Sequence, residues 1–128
     1  MTFLGLLAVG TGAAVGAWLR WWLGVVLNPV FPTLPFGTLA ANLIGGYLMG
    51  LALGVFDKFE ALPPEIRLLA MTGFLGGLTT FSTFSAEAAT LLSRQQFGWT
   101  GLHIAVHVVG SIVLTFGGIA TVRLFFKV

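Results

Sequence analysis

Four long apolar runs, joined by short polar connections, constrain this chain more than any other feature. They cover about residues 2–27, 36–56, 65–92 and 97–126. Each exceeds the ~20 residues that carry a helix across a bilayer. The connections are Asn28–Pro35 with three prolines, Asp57–Pro64 ending in Pro63-Pro64, and Arg94–Gln96. Charged residues make up only 8% of the 128, far below the roughly 25% of soluble domains, so nothing is left to build a water-facing surface. The expectation is an all-α integral membrane protein, a single domain over residues 1–128 with four transmembrane helices and both termini on one side. The first run lacks a basic leader and continues past signal-peptide length, so it reads as a retained span.

Orientation is weakly specified. Lys58, Arg67, Arg123 and Lys127 fall on the side of the termini, Arg94 opposite, and Arg20 within the first run. The positive-inside rule leans towards cytoplasmic termini, by a margin of a few residues among six cations. Insertion of some copies upside down is physically reasonable.

Small residues recur at helical spacing. Gly12 and Gly16 form a Gly-x-x-x-Gly pair whose face continues to Arg20, and Asn42, Gly46, Gly50 and Gly54 follow one another four apart. Such faces let helices approach closely in lipid, where the hydrophobic effect gives no help. Packing is a sufficient reading for the glycines. Asn42 differs, because a carboxamide in hydrocarbon is costly without a partner. It is expected to face another helix or a polar path.

The stretch Gly73–Ser85 holds three glycines, five hydroxyl residues and three phenylalanines in thirteen positions without a charge. It lies inside the third apolar run, and a helix break at membrane depth is tolerated only where it is protein-buried or lines a cavity. A break near Gly76-Gly77 would expose carbonyls suited to a hard monovalent cation, and amides suited to an anion. Phe81 and Phe84 share a face of the half-helix that follows. Their ring edges carry partial positive charge and can meet a small anion without trapping it.

On the fourth run His103, His107, Ser111 and Thr115 stand at successive steps of four, a polar stripe along one face. Interhelical hydrogen bonding and the lining of a solute path both account for it. Two histidines four apart are also metal-ligand spacing, but no third ligand is evident in the sequence and zinc sites need three or more. A metal there is set aside.

The chemistry of an enzyme is not legible. Asp57, Glu60 and Glu65 fall in or beside one loop, and no paired acids, activated serine or phosphate loop stands at mechanistic spacing. No Lys/Arg cluster interleaved with aromatics suggests nucleic acid as a partner. Glu87 alone is placed to relay protons within a span, and it reads better as a helix-end or interhelix hydrogen-bond partner. Passive ion handling remains. A non-conducting structural subunit and a proton-coupled small-solute transporter are the competing readings. One subunit supplies too few groups for a bare cation, whereas a two-fold dimer meeting at the third span doubles them.

Three blocks carry a resemblance to a known family: Gly12-Ala-Ala-Val-Gly16-Ala-Trp-Leu-Arg20-Trp21, Phe36-Gly-Thr38-Leu-Ala-Ala-Asn42-Leu-Ile-Gly45, and Gly73-Phe-Leu-Gly76-Gly-Leu-Thr79-Thr-Phe81-Ser-Thr-Phe84-Ser85. In this order they resemble the Fluc (CrcB) family of small fluoride ion channels, over essentially the whole chain. The resemblance implies a multi-pass protein of the bacterial plasma (inner) membrane that exports cytoplasmic fluoride passively and so reduces its toxicity. It implies an antiparallel, dual-topology homodimer with the third helix broken near mid-membrane, two pores per dimer, and a structural sodium ion (Na+) at the centre. Carried over by motif, main-chain carbonyls of Gly76 and Thr79 hold the sodium, and Phe81 and Phe84 line the pore. Asn42 hydrogen-bonds near them, and Thr38 lies on the same helix towards a vestibule. Thr80, Thr83, Ser82 and Ser85 offer further hydroxyls, and Ser111 fits the hydroxyl track of the fourth span. His107 occupies a neighbouring step of that track. If His107 or its neighbour His103 faces the pore, protonation near the ordinary value of about 6.5 would make permeation pH-sensitive. Arg20 is expected to be structural or vestibular, as is Glu87.

Overall fold

The computed structural model describes residues 1–127, and these contain helices and no strand. Helix α1 (Phe3–Leu27) leads through a 3-10 turn (Asn28–Val30) to α2 (Phe36–Lys58). A short α3 (Pro64–Arg67) continues as a π-helical run (Leu68–Leu75) and then as α4 (Gly76–Leu78). Helix α5 (Phe81–Ser93) and the long α6 (Phe97–Phe126) complete the chain. Taken together these form four helical stretches long and apolar enough to cross a membrane: Phe3–Val30, Phe36–Lys58, Pro64–Ser93 and Phe97–Phe126.

Local chemistry sets the element ends. Thr2 caps α1 by accepting from the Gly5 amide at 2.9 Å, which satisfies one of the donors a helix start leaves free. Asn28, beyond the far end of α1, caps the next helix instead. Its Oδ1 accepts from the amides of Gly37 at 2.8 Å and Thr38 at 3.2 Å. Prolines 32 and 35 keep the intervening segment out of helix, because they lack an amide proton and restrict the residue before them.

Glycine faces decide the packing. Gly12 and Gly16 of α1 lie directly on the backbone of the third span, where a side-chain carbon at Gly16 would overlap the Phe74 carbonyl. Gly73 and Gly77 return the contact against Val9 and Ala13. Helix α2 pairs closely with α6, where Gly46, Gly50 and Gly54 meet Ser111, Thr115, Gly118 and Val122. These helices gain van der Waals contact and hydrogen bonds of the kind Thr115 makes, donating to the Gly46 carbonyl at 2.9 Å. Gly50→Ala is therefore expected to destabilise the protein by about 1–3 kcal/mol, since its new methyl overlaps the Thr115 carbonyl. Thermal denaturation in detergent tests this, and an unchanged melting temperature would rule out tight α2–α6 packing.

A small apolar core forms where Leu23, Ala41, Leu75 and Leu78 meet. Outward, α1 presents Phe3, Leu6, Trp18 and Trp21, and α6 presents Val109, Val113, Phe116 and Phe125. An apolar exterior this extensive suits hydrocarbon surroundings.

One expectation changes. Gly76 and Gly77 are helical, and the residues that leave helical geometry are Thr79 (φ −81°, ψ 155°) and Thr80 (φ −149°, ψ 120°). Gly77 is a glycine because the Ala13 backbone presses against it, not because the chain must bend there. Two adjacent β-branched residues favour the extended region that Thr79 and Thr80 adopt.

Candidate functional site

The extended pair leaves main-chain groups without helical partners, and side chains from other helices take up several of them. Asn42 on α2 clasps Thr80 at both polar groups. Its Nδ2 donates to the Thr80 carbonyl at 2.9 Å, and its Oδ1 accepts from the Thr80 amide at 2.7 Å. The carboxamide thus replaces a neighbouring strand. Thr80 Oγ1 then caps α5 by accepting from the Thr83 amide at 3.1 Å. Arg20 reaches across from α1 and donates from Nε to the Gly77 carbonyl at 3.0 Å, so its partner is the backbone just before the extended pair. Among the described residues no side chain, and no backbone amide from another element, donates to the carbonyl oxygens of Gly76 or Thr79. Free main-chain carbonyls are the donor type a sodium ion takes, so the residues present fit such an ion.

Asn42 makes a third contact, 3.1 Å from Nδ2 to His107 Nδ1. The amide side is the donor here, so a neutral His107 carries its ring proton on Nε2. Phe84 is buried against both histidines, with centroids 4.8 Å from His107 and 5.2 Å from His103. Phe81 packs on Phe84 at 5.6 Å, yet is 78% exposed on the protomer surface. The two phenylalanines therefore differ, one built into the protein and one presented outward.

A cleft of about 370 Å³ is lined by Asn42, Thr79, Thr80, Phe81, Phe84, His107 and Ser111. No charged side chain lines it. A second cavity of about 280 Å³ holds Arg20, Thr38, Thr80 and Thr83. A third, of about 300 Å³, holds Thr83, Glu87, Thr90 and Arg94. The structure thus gathers Asn42, Thr80, Phe81, Phe84, His107 and Ser111 into one cleft and sets Thr38 and Thr83 apart from it. Gly76 lines none of the three.

Glu87 lies between helices. Its Oε2 accepts from Thr38 Oγ1 at 2.6 Å, and Oε1 stands 3.5 Å from His103 Nε2. The sequence offered Glu87 as an interhelix partner without naming what it meets. It gave no sign that His103, fully buried on α6, faces that carboxylate. A carboxylate thus stands beside the two histidines: one potential ligand atom each from Glu87, His103 and His107 lie within 4.8 Å of one another. Local spacing cannot show such a pairing, because the carboxylate comes from a different helix.

Comparison with known proteins agrees with these blocks. A family model described as CrcB-like protein, Camphor Resistance (CrcB), matches residues 7–119. A relative in Nitrosospira multiformis is 63% identical over 123 residues, covering 96% of each chain. One in Cupriavidus necator is 61% identical over 121 residues, covering 94% of this chain and 96% of its own. One in Ralstonia pickettii is 58% identical over 125 residues, covering 98% of this chain and 99% of its own. All three are named fluoride-specific ion channel FluC. With the family model spanning most of the chain and relatives this similar over nearly their full lengths, the protein belongs to the CrcB family.

Proposed function

We propose that the protein is a fluoride-selective passive channel that exports fluoride and so lowers its toxicity, in the bacterial plasma (inner) membrane. The observation that carries the reading is the uncharged cleft in which Asn42 holds the extended Thr80 beside Phe81, Phe84 and Ser111. A small, strongly hydrated anion needs partial positive charge to replace its water, but a full cation would hold it too long to conduct. Ring edges, a carboxamide and hydroxyls supply that intermediate attraction.

The pathway in this proposal runs past Phe81, Phe84, Asn42, Ser111 and His107, with Thr80 and Thr83 offering hydroxyls and Thr38 in the adjoining vestibule. Arg20 serves it structurally, by holding the Gly77 carbonyl. Outward presentation of Phe81 suits a pore completed by a second copy. An antiparallel homodimer then carries two pores, with the helix break at mid-membrane. The free carbonyls of Gly76 and Thr79 from both copies would hold a structural sodium ion at its centre. Bound there, the ion would supply fixed positive charge between the two copies.

The Glu87–His103 contact favours a second reading, in which a buried carboxylate and imidazole relay protons for coupled transport. Fluoride efflux from proteoliposomes, followed with an electrode, separates the two. The channel predicts rapid efflux without an imposed proton gradient and without chloride flux. Efflux that requires a proton gradient would establish the coupled transporter, and no flux of any ion would leave a structural subunit.

A further inference from the structure

We propose that Glu87, His103 and His107 form a binding site for a divalent cation of the zinc class. The two histidines stand one helical turn apart on α6, with ring centroids 4.5 Å apart. Helix α5 brings the Glu87 carboxylate to them, so that one ligand atom from each lies within 4.8 Å of the others. Two imidazoles and one carboxylate, with a fourth position open, is a donor set that zinc accepts. Calcium and magnesium prefer more oxygens and fewer nitrogens.

The second observation is independent of the spacing. Glu87 Oε1, His103 Nε2 and His107 Nε2 are buried and have no hydrogen-bond partner among the described residues. His103 is 1% exposed and His107 4%. Glu87 Oε1 and His103 Nε2 have only each other, at 3.5 Å, and His107 Nε2 has no partner at all, whereas buried polar groups otherwise find partners.

The surroundings complete it. Thr38 donates to Glu87 Oε2 at 2.6 Å, which orients the carboxylate and leaves Oε1 free to ligate. Glu87 also lines the cavity of about 300 Å³ with Pro35, Thr83 and Gln96, so the site borders an opening. Arg94 is the one cation on that wall. Zinc bonds of roughly 2 Å bring ligand atoms to about 3.3 Å apart. Glu87 and His103, at 3.5 Å, are already near that separation, and His107, within 4.8 Å of the others, closes by about 1.5 Å. Ligation through His107 Nε2 moves the ring proton to Nδ1, where it opposes Asn42 Nδ2. Loading therefore breaks one of the bonds Asn42 makes.

The test uses the purified full-length protein in detergent, with Zn2+ titrated calorimetrically and Co2+ as a spectroscopic probe. The expected result is one ion per chain and the intense visible absorption of a low-coordinate Co2+ centre, displaced by Zn2+. H103Q and H107Q are each expected to weaken Zn2+ binding by about 100-fold, and E87Q by about 10-fold or more. The Co2+ readout needs only the wild-type chain, so it stands even where a histidine variant fails to fold. Equal Zn2+ affinity in wild type and the H103Q/H107Q double variant would overturn the proposal, as would an octahedral, solvent-like Co2+ spectrum.

Discussion

Phe81→Ile is expected to reduce fluoride efflux to the leak of protein-free liposomes while the protein remains folded. Phe81 is 78% exposed in the protomer, so its replacement removes little buried surface. Stability should change by no more than about 0.5 kcal/mol, the usual range for exposed positions. Isoleucine keeps the site apolar and bulky but has no quadrupole. What disappears is the positive ring edge that the proposed pathway presents to the anion. The electrode assay reads the flux, and melting temperature with elution volume reads the fold. Wild-type flux from the variant would sink the ring-edge reading. A collapsed fold would instead show that Phe81 is a structural contact.

Asn42→Ala is expected to remove both conduction and a measurable part of the stability. Its carboxamide satisfies the Thr80 amide and carbonyl and meets His107. Truncation leaves two main-chain groups of the extended pair without those bonds, each worth about 1–3 kcal/mol when buried. A loss of roughly 2–6 kcal/mol follows if neither is rescued. Thr80 is also the cap of α5, so its displacement misplaces Phe81 and Phe84 together. Asn42→Asp separates the two effects. The carboxylate still accepts from the Thr80 amide but no longer donates, and it adds negative charge facing an anion path. Partial recovery of the melting temperature with no recovery of efflux is the expected pattern. An alanine variant that melts and conducts like wild type would show that the clasp has no role.

Much of this was legible from residue order. The glycine periods on α1 and α2 marked the faces that meet other helices, because lipid rewards close backbone approach whatever the partner. Asn42 announced itself as a residue needing a partner, since hydrocarbon offers none. The wide π-helical turns at Leu68–Leu75 had no visible signal. Nor is the exact place where the third helix leaves helical geometry, Thr79-Thr80, legible in the sequence. Gly76-Gly77 looked like the break because glycine serves both flexibility and close packing, and only the contact with Ala13 tells which use applies.

What the sequence determined by itself is therefore whatever short-range physics decides: helical runs of membrane length, their small-residue faces, and the blocks that mark the family. Only the tertiary structure decided who meets whom. Asn42 is far along the chain from Thr80, Arg20 from Gly77, and Glu87 sits on a different helix from His103. Hydrogen bonds act over about 3 Å. Residue order cannot report on distances of that size between separate helices, because the packing of every face must be solved before any one of them is known.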